Sequence, residues 1–92
     1  MLNKIVFISS EGCKDCLRMK KTISEVLNEN KLKYKDLVIE IGSEDDMAID
    51  TAIKEGIGDI PGCSFGKSVI CGANFNADFL KNSLKRFLRP TA

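Results

Sequence analysis

The 92-residue sequence has no histidine and no tryptophan, and its longest uninterrupted apolar run, residues 5–8, is only four residues long. Without histidine there is no imidazole base, no Cys–His nucleophilic dyad and no histidine metal ligand. A run of four residues is also far shorter than the roughly 7–15 apolar residues of a signal peptide or the roughly 20 of a membrane span. We therefore expect a cytoplasmic protein that makes no contact with a membrane.

The sequence also lacks the basic excess that nucleic-acid binding usually requires, because 14 Lys and Arg residues against 13 Asp and Glu residues give a net charge of +1. The charges are nevertheless unevenly distributed. Residues 36–60 carry eight acids and one lysine, whereas residues 1–35 and 61–92 each carry a net charge of +4. Such blocks usually form solvated faces; the alternative is that they steer a charged partner. We expect no nucleic-acid partner.

The length allows one domain, since domains usually contain about 100–200 residues. A composition of 43% hydrophobic and 29% charged residues is that of an ordinary globular protein and excludes collagen, low-complexity disorder and a coiled coil. Residues 1–92 are therefore interpreted as a single domain, which we expect to be a monomer.

The hydrophobic pattern predicts an α/β fold with the element order βαβαββα. Strands are expected over residues 4–9, 34–41, 63–65 and 68–71, and helices over residues 13–30, 43–56 and 79–88. Ser43 is the predicted N-cap of the second helix, whose apolar stripe includes Met47, Ala48, Ala52 and Ile53. The βαβ unit implies two parallel strands with a right-handed crossover. The hairpin adds two antiparallel strands, which gives a mixed four-stranded sheet flanked by three helices.

Two of the four cysteines form the motif Cys13-Lys14-Asp15-Cys16 at the predicted start of the first helix. Free backbone N–H groups and the helix dipole stabilise a thiolate there, so we expect a lowered pKa for Cys13, to which Lys14 adds. Cys16 falls on the apolar stripe of the helix and should be the more buried thiol. An exposed nucleophile with a buried resolving thiol is the asymmetry that dithiol exchange requires.

The second pair of cysteines, Cys63 and Cys71, has two interpretations: small buried core thiols, or a second redox pair. The length of the hairpin turn separates them. A two-residue turn at Gly66-Lys67 places Cys63 opposite Ile70, whereas a three-residue turn places it opposite Cys71. The seven residues between these cysteines do not match the spacing of a structural zinc site, so no metal is expected.

The motif and its context resemble the thioredoxin superfamily, and most closely its shortest members, the glutaredoxin-like redoxins, over about residues 3–88. The features that carry the resemblance are a C-x-x-C between the first strand and helix, and Ile60-Pro61 before the hairpin. The resemblance implies a cis Ile60–Pro61 bond beside the two sulfurs, with the backbone of Ile60 pairing with a substrate chain. Glutaredoxins hold glutathione as a co-substrate, and the backbone at the N-terminus of the last helix, at Asn74 or Asn76, could hold a glutathione carboxylate.

The sequence departs from the family at several of these positions. Lys14-Asp15 is neither the Gly-Pro of typical thioredoxins nor the Pro-Tyr of many glutaredoxins, and Gly12 replaces the tryptophan that precedes the thioredoxin motif. The stretch 71–74 lacks the Gly-Gly pair and following acid with which glutaredoxins hold glutathione. The resemblance therefore leaves open whether glutathione or a thioredoxin-type reductase donates the electrons.

Together these observations predict a thiol–disulfide oxidoreductase that needs no organic cofactor. The Cys13 thiolate attacks a substrate disulfide, and Cys16 then resolves the mixed disulfide. The substrate is a disulfide-containing protein or glutathione disulfide, and Lys14, Ile60, Pro61 and Asn74 are the candidate substrate-binding residues. Two alternatives remain from the sequence: a metal or iron–sulfur module built on the C-x-x-C motif, and a redox-sensing adaptor without catalytic activity.

Overall fold

The computed structural model describes residues 4–72 and 75–88, and it confirms the predicted mixed four-stranded sheet. Three longer helices accompany the sheet as predicted, together with one additional helix of a single turn. The elements in chain order are β1 (Ile5–Ser9), α1 (Lys14–Glu29), α2 (Tyr34–Leu37), β2 (Val38–Gly42), α3 (Met47–Glu55), β3 (Gly62–Phe65), β4 (Ser68–Cys71) and α4 (Ala77–Leu88). The predicted substrate contact Asn74 lies outside the described residues.

The strands lie in the order β2-β1-β3-β4, with β1 and β2 parallel and the other two pairings antiparallel. Ser9 at the end of β1 pairs with Gly42 at the end of β2. Ile8 pairs with Gly62, the first residue of β3. The ends of β1 and β2 and the beginning of β3 therefore share one edge of the sheet, which we call the upper edge.

The core lies between one face of the sheet and the helices α1 and α4. Alternating strand residues, among them Ile5, Phe7 and Phe65, point to this face and are almost completely buried. The three- and four-residue spacing predicted for α1 brings its apolar side chains to the same core. Each such side chain stabilises the fold by about 1.5–3 kcal/mol through burial.

The second strand begins later than predicted. Residues 34–37 form the single turn α2, and β2 starts only at Val38, which pairs with Ile5 at the beginning of β1. A residue before Val38 would find no strand partner on β1, so its backbone groups form a helical turn instead. Leu37 still reaches the core from this turn.

The predicted start of the helix α3 is wrong, and so is most of its predicted apolar stripe. The helix begins at Met47, and the Asp45 carboxylate, rather than Ser43, accepts the N–H of Met47 at 2.9 Å. The backbone N–H of Ser43 instead donates to the carbonyl of Ser9 at 2.7 Å, which extends the pairing between the ends of β1 and β2. The helix ends at Gly56, as predicted, where a positive φ of 77° favours glycine.

The helix α3 covers the sheet face opposite the core, but it covers this face only loosely. Ser64, which alternates with the core residues of β3, donates to the Glu55 carboxylate at 2.6 Å and so fixes the helix to that face. Of the predicted stripe only Ala48 is buried, while Met47 and Ile53 are exposed. No helix in the part of the chain that the structure describes is long and apolar enough to cross a membrane.

Candidate active site: a disulfide at a helix N-terminus

Cys13 and Cys16 form a disulfide bond at the start of α1, with their Cα atoms 5.2 Å apart. Strand β1 ends at Ser9 on the upper edge, and a short loop leads to Cys13, which is the N-cap of the helix. Gly12 in this loop has a φ of +73°, a conformation that side chains with a Cβ rarely adopt. The structure thus confirms the predicted placement of both cysteines.

Backbone N–H groups at the helix start are directed at both sulfur atoms. The N–H of Cys16 donates to the Cys13 Sγ at 3.1 Å, and the N–H of Ser10 donates to the Cys16 Sγ at 3.4 Å. Such donors stabilise negative charge, and the positive end of the helix dipole adds to their effect. The local backbone can therefore stabilise a thiolate at Cys13 without any charged neighbour.

The two sulfurs differ in accessibility, as the sequence predicts. Cys16 is only 4% exposed, whereas Cys13 is half-buried. A substrate molecule can therefore reach Cys13 more easily than Cys16.

An apolar side chain lies exposed beside the disulfide: Leu17, one turn after Cys13, borders the same pocket as both cysteines and is 69% exposed. Ile60, which precedes Pro61, is 39% exposed. The Ile60–Pro61 peptide bond is cis, which confirms what the family resemblance implied, and Pro61 is buried. Pro61 immediately precedes β3, so it lies at the upper edge with the disulfide. Sequence reasoning missed Leu17, because an exposed leucine on a helix has no signal of its own.

Charged residues of the motif remain in solvent. Lys14 is exposed at the first position of α1, next to Cys13. Asp15 forms an ion pair with Arg18 at 3.3 Å, and both side chains are more than half exposed. A pair this exposed contributes little to stability, typically about 0–1 kcal/mol.

A cavity of about 210 Å³ lies beside the disulfide and contains a polar network that the sequence did not reveal. Its walls include Cys16, Lys20 and Glu40. The Glu40 carboxylate accepts a hydrogen bond from the Tyr34 hydroxyl at 2.6 Å and forms an ion pair with the Lys20 ammonium at 3.2 Å. Burial, and then the hydrogen bond to Glu40, raise the pKa of Tyr34, so its hydroxyl remains a donor. The sequence feature that could have indicated this network is Glu40, an acidic residue next to the apolar residues of the predicted second strand.

No family model matches the chain, and no curated protein matches it at a significant level. Solved structures do match. An uncharacterized thioredoxin-like protein from Clostridium perfringens is 22% identical with a TM-score of 0.67, and the match covers 92% of this chain and 70% of that one. The oxidised thioredoxin from Plasmodium falciparum is 20% identical with a TM-score of 0.58, over 95% of this chain and 84% of that one. The fold is thioredoxin-like.

A third structure, described as a malarial protein, is 13% identical with a TM-score of 0.51, over 95% of this chain and all of that one. At these identities the likeness shows the thioredoxin-like fold alone. The fold and the close Cys13–Cys16 pair together fit a redox role.

The thioredoxin-like sheet does not bring Cys63 and Cys71 together. The hairpin has the two-residue turn, so Cys63 pairs with Ile70 and Cys71 pairs with Gly62. Cys63 therefore points to the same face as its partner Ile70. Successive residues on a strand point to opposite faces, so Cys71, which follows Ile70, lies on the other side of the sheet from Cys63. Cys63 is completely buried in the core. This burial is the main reason why its pKa is raised to about 12, and the Coulombic effect of Cys71 is the smaller reason. This geometry favours the interpretation of Cys63 as a core residue.

No group of three or more Cys, Asp or Glu side chains is placed to hold a metal ion within the described residues, 4–72 and 75–88. The opposite faces of Cys63 and Cys71 explain why the four cysteines do not form one site.

Proposed function

We propose that the protein is a thiol–disulfide oxidoreductase that reduces disulfide bonds through Cys13 and Cys16. The observation that carries this proposal is the unequal exposure of two bonded cysteines at a helix N-terminus, where backbone N–H groups face the sulfurs. This combination supplies a stabilised, accessible nucleophile and a protected second thiol.

Reduction of a substrate proceeds in two steps whose electrons balance. The Cys13 thiolate attacks one sulfur of the substrate disulfide and forms a mixed disulfide with it. The other substrate sulfur leaves as a thiolate and takes a proton. Cys16 then loses its proton and attacks the Cys13 Sγ, which releases the second substrate thiol. Two electrons have passed to the substrate, and the Cys13–Cys16 disulfide seen in the structure is the oxidised product.

Protons in this reaction do not require histidine. The first leaving thiolate can be protonated by water, Lys14 or Asp15 at the exposed end of the motif. The Glu40 carboxylate shares a cavity with Cys16 and is the candidate acceptor for the proton that Cys16 loses. Because Glu40 also binds Lys20 and Tyr34, its position is fixed.

The partners follow from the surface and from the family resemblance. The exposed Leu17 beside the disulfide, together with the exposed Ile60 next to Pro61, favours a protein disulfide as substrate, with glutathione disulfide as the smaller alternative. Lys14, and the backbone of Ile60 next to Pro61, are the proposed substrate contacts. The electron donor is a thioredoxin-type reductase or glutathione, with no organic cofactor. We place this chemistry in the reducing cytoplasm.

The experiment that tests this function compares the wild-type protein with Cys13→Ser, Cys16→Ser and the matched control Cys71→Ser. Insulin reduction with NADPH and thioredoxin reductase is run beside a glutathione-coupled assay with hydroxyethyl disulfide. We expect the wild type and Cys71→Ser to be active in at least one system and Cys13→Ser to be inactive in both.

Activity retained by Cys13→Ser would contradict the proposal. If no variant reduces any disulfide, a non-catalytic redox-sensing adaptor is favoured. Stoichiometric iron or zinc in anaerobically purified protein, lost in Cys13→Ser, would instead favour the metal-binding alternative.

A further inference from the structure

A pocket of about 460 Å³, which we call the hairpin pocket, lies between the β3–β4 hairpin and the helix α4. The residues that form most of its wall are Phe65, Lys67 and Ser68 from the hairpin and Phe79, Arg86 and Phe87 from the helix. The three residues from α4 are seven or eight positions apart or adjacent, so they lie along one side of the helix.

The hairpin pocket lies at the end of the sheet opposite the disulfide. Strand β3 begins at the upper edge, where Gly62 pairs with Ile8, and it ends at Phe65, just before the turn of the hairpin. The turn is therefore at the lower edge of the sheet. The lining of the hairpin pocket shares no residue with the cavity beside the disulfide. A molecule bound in the hairpin pocket leaves Cys13 accessible.

The hairpin pocket is positively charged. Its lining contains Lys67 and Arg86 and no acid. The ion pairs within residues 4–72 and 75–88 include neither of these cations. Asp78, the one acid in residues 61–92, is not part of the lining. Because one cation stands on the hairpin and the other on the helix, both attract an anionic group that lies between them.

The apolar part of the hairpin pocket is aromatic and closely packed. The ring centroids of Phe65 and Phe87 are 5.4 Å apart. A Cβ added at Gly66 would lie 3.3 Å from the Phe87 ring, so the turn of the hairpin packs directly on the helix. Phe79, by contrast, is 52% exposed. Such a surface can bind an apolar side chain without first paying for its own ordering.

Two features favour a protein segment over a small molecule as the occupant. Lys67, Ser68, Phe79 and Arg86 are all exposed, whereas small-molecule sites usually enclose most of their ligand. Strand β4, which begins at Ser68, is at the edge of the sheet, so its outer side has no strand partner in the part of the chain that the structure describes. An extended segment can pair with such an edge.

We propose that the hairpin pocket is a docking site for an acidic segment of a partner protein, and that this segment carries one large apolar side chain beside at least two Asp or Glu residues. The apolar side chain contacts Phe79 and Phe87, and the acids pair with Lys67 and Arg86. The partner stays bound while Cys13 reacts. Docking at this end of the molecule does not require the proposed oxidoreductase activity.

Three unlabelled peptides of the same length test this docking by NMR titration of the isotope-labelled protein. The first has a central Phe flanked by four Glu residues, the second has Gln in place of the Glu residues, and the third has Gly in place of the Phe. At low ionic strength we expect the first to bind about tenfold more tightly than either of the others, with shifts centred on residues 65–68 and 79–87. The advantage over the Gln peptide should shrink at high salt.

Matched variants locate the binding. Lys67→Gln and Arg86→Gln should each weaken the Glu peptide by about two- to fivefold and leave the Gln peptide unaffected. Lys35→Gln is the control, since Lys35 is exposed on α2 and does not line the pocket. Phe79→Gln should weaken both peptides by about three- to tenfold, whereas Ile53→Gln, which changes a 76% exposed side chain on α3, should weaken neither.

Turnover separates this docking from the disulfide site. Saturating Glu peptide should leave the rate of hydroxyethyl disulfide reduction unchanged. Cys13→Ser should bind the peptide as the wild type does, and this comparison holds even if the protein reduces no disulfide. Equal affinity for the Glu and Gln peptides, or equal effects of Lys67→Gln and Lys35→Gln, overturn the proposal.

Two other occupants of the hairpin pocket would also overturn it. Displacement of the Glu peptide by inorganic phosphate at constant ionic strength assigns the pocket to a small anion. A dimer of the protein that Lys67→Gln and Arg86→Gln each convert to a monomer assigns the pocket to a second copy of this chain.

Discussion

The backbone N–H of Cys16 donates a hydrogen bond to the sulfur of Cys13 at 3.1 Å. The resolving cysteine thus helps to hold the attacking one in place, through its backbone rather than its side chain. The bond uses one of the free N–H groups that every helix start possesses, so it needs no additional residue. This relationship explains how a chain without histidine can provide a stabilised thiolate.

The first prediction concerns the ionisation of Cys13 in the reduced protein. The N–H donor and the helix dipole favour the thiolate, so the pKa of Cys13 should lie below that of an ordinary cysteine, which titrates near about 8.5. The rate of alkylation by iodoacetamide, measured against pH in a Cys16→Ser background with labelled sites mapped by mass, gives this value. A midpoint near that of a free thiol would show that the helix start does not stabilise the thiolate.

The second prediction concerns the reactivity of the other two thiols. Cys63 is completely buried with a pKa raised to about 12, whereas Cys71 is partly exposed. At pH 8 we expect Cys71 to be alkylated in the native protein and Cys63 only after denaturation. Native labelling of Cys63 as fast as that of Cys13 would contradict its position in the core.

The third prediction concerns stability at alkaline pH. Because folding raises the pKa of Cys63 from 9.0 to about 12, the thiol ionises more readily in the unfolded chain. The stability associated with Cys63 is fully present below about pH 9 and is lost as the pH rises toward 12. Urea unfolding at several pH values should show this loss in the wild type, and a smaller loss in Cys63→Ala. Parallel pH profiles would contradict the predicted ionisation.

The fourth prediction concerns Glu40. If its carboxylate accepts the proton of Cys16, Glu40→Gln should slow the second step by about 100-fold or more. Rapid-quench measurement of mixed-disulfide decay gives this rate. The control is Glu29→Gln. Glu29 lies at the other end of α1, where it forms a surface ion pair with Lys85 of α4. Equal decay in the wild type and Glu40→Gln, across pH 6–9, would leave Glu40 with a structural role only.

The sequence predicted the disulfide site well because the features that build it are local. A helix start, a C-x-x-C spacing and an apolar stripe all lie within residues 9–29, so the position of Cys13 and the burial of Cys16 follow without tertiary information. The Ile60–Pro61 position depended on the family resemblance instead.

The parts that the sequence did not predict depend on distant pairings. Val38 marks the start of β2 only because Ile5 is its partner. Glu40 meets Lys20 and Tyr34 only once the strand register fixes its direction. The spacing of apolar residues in α3 defined a stripe, but how closely the helix packs on the sheet depends on the sheet itself. For this reason Ile53 is exposed although it fits the pattern.

The central claim is that Cys13 and Cys16 have unequal roles, and trapping of a mixed disulfide tests it most directly. Reduced Cys16→Ser and reduced Cys13→Ser are each incubated with an oxidised protein substrate, and the covalent products are identified by mass spectrometry under non-reducing conditions. The account predicts a stable complex bonded through Cys13 in Cys16→Ser and almost none in Cys13→Ser. Equal trapping by the two variants, or trapping through Cys71, would contradict it.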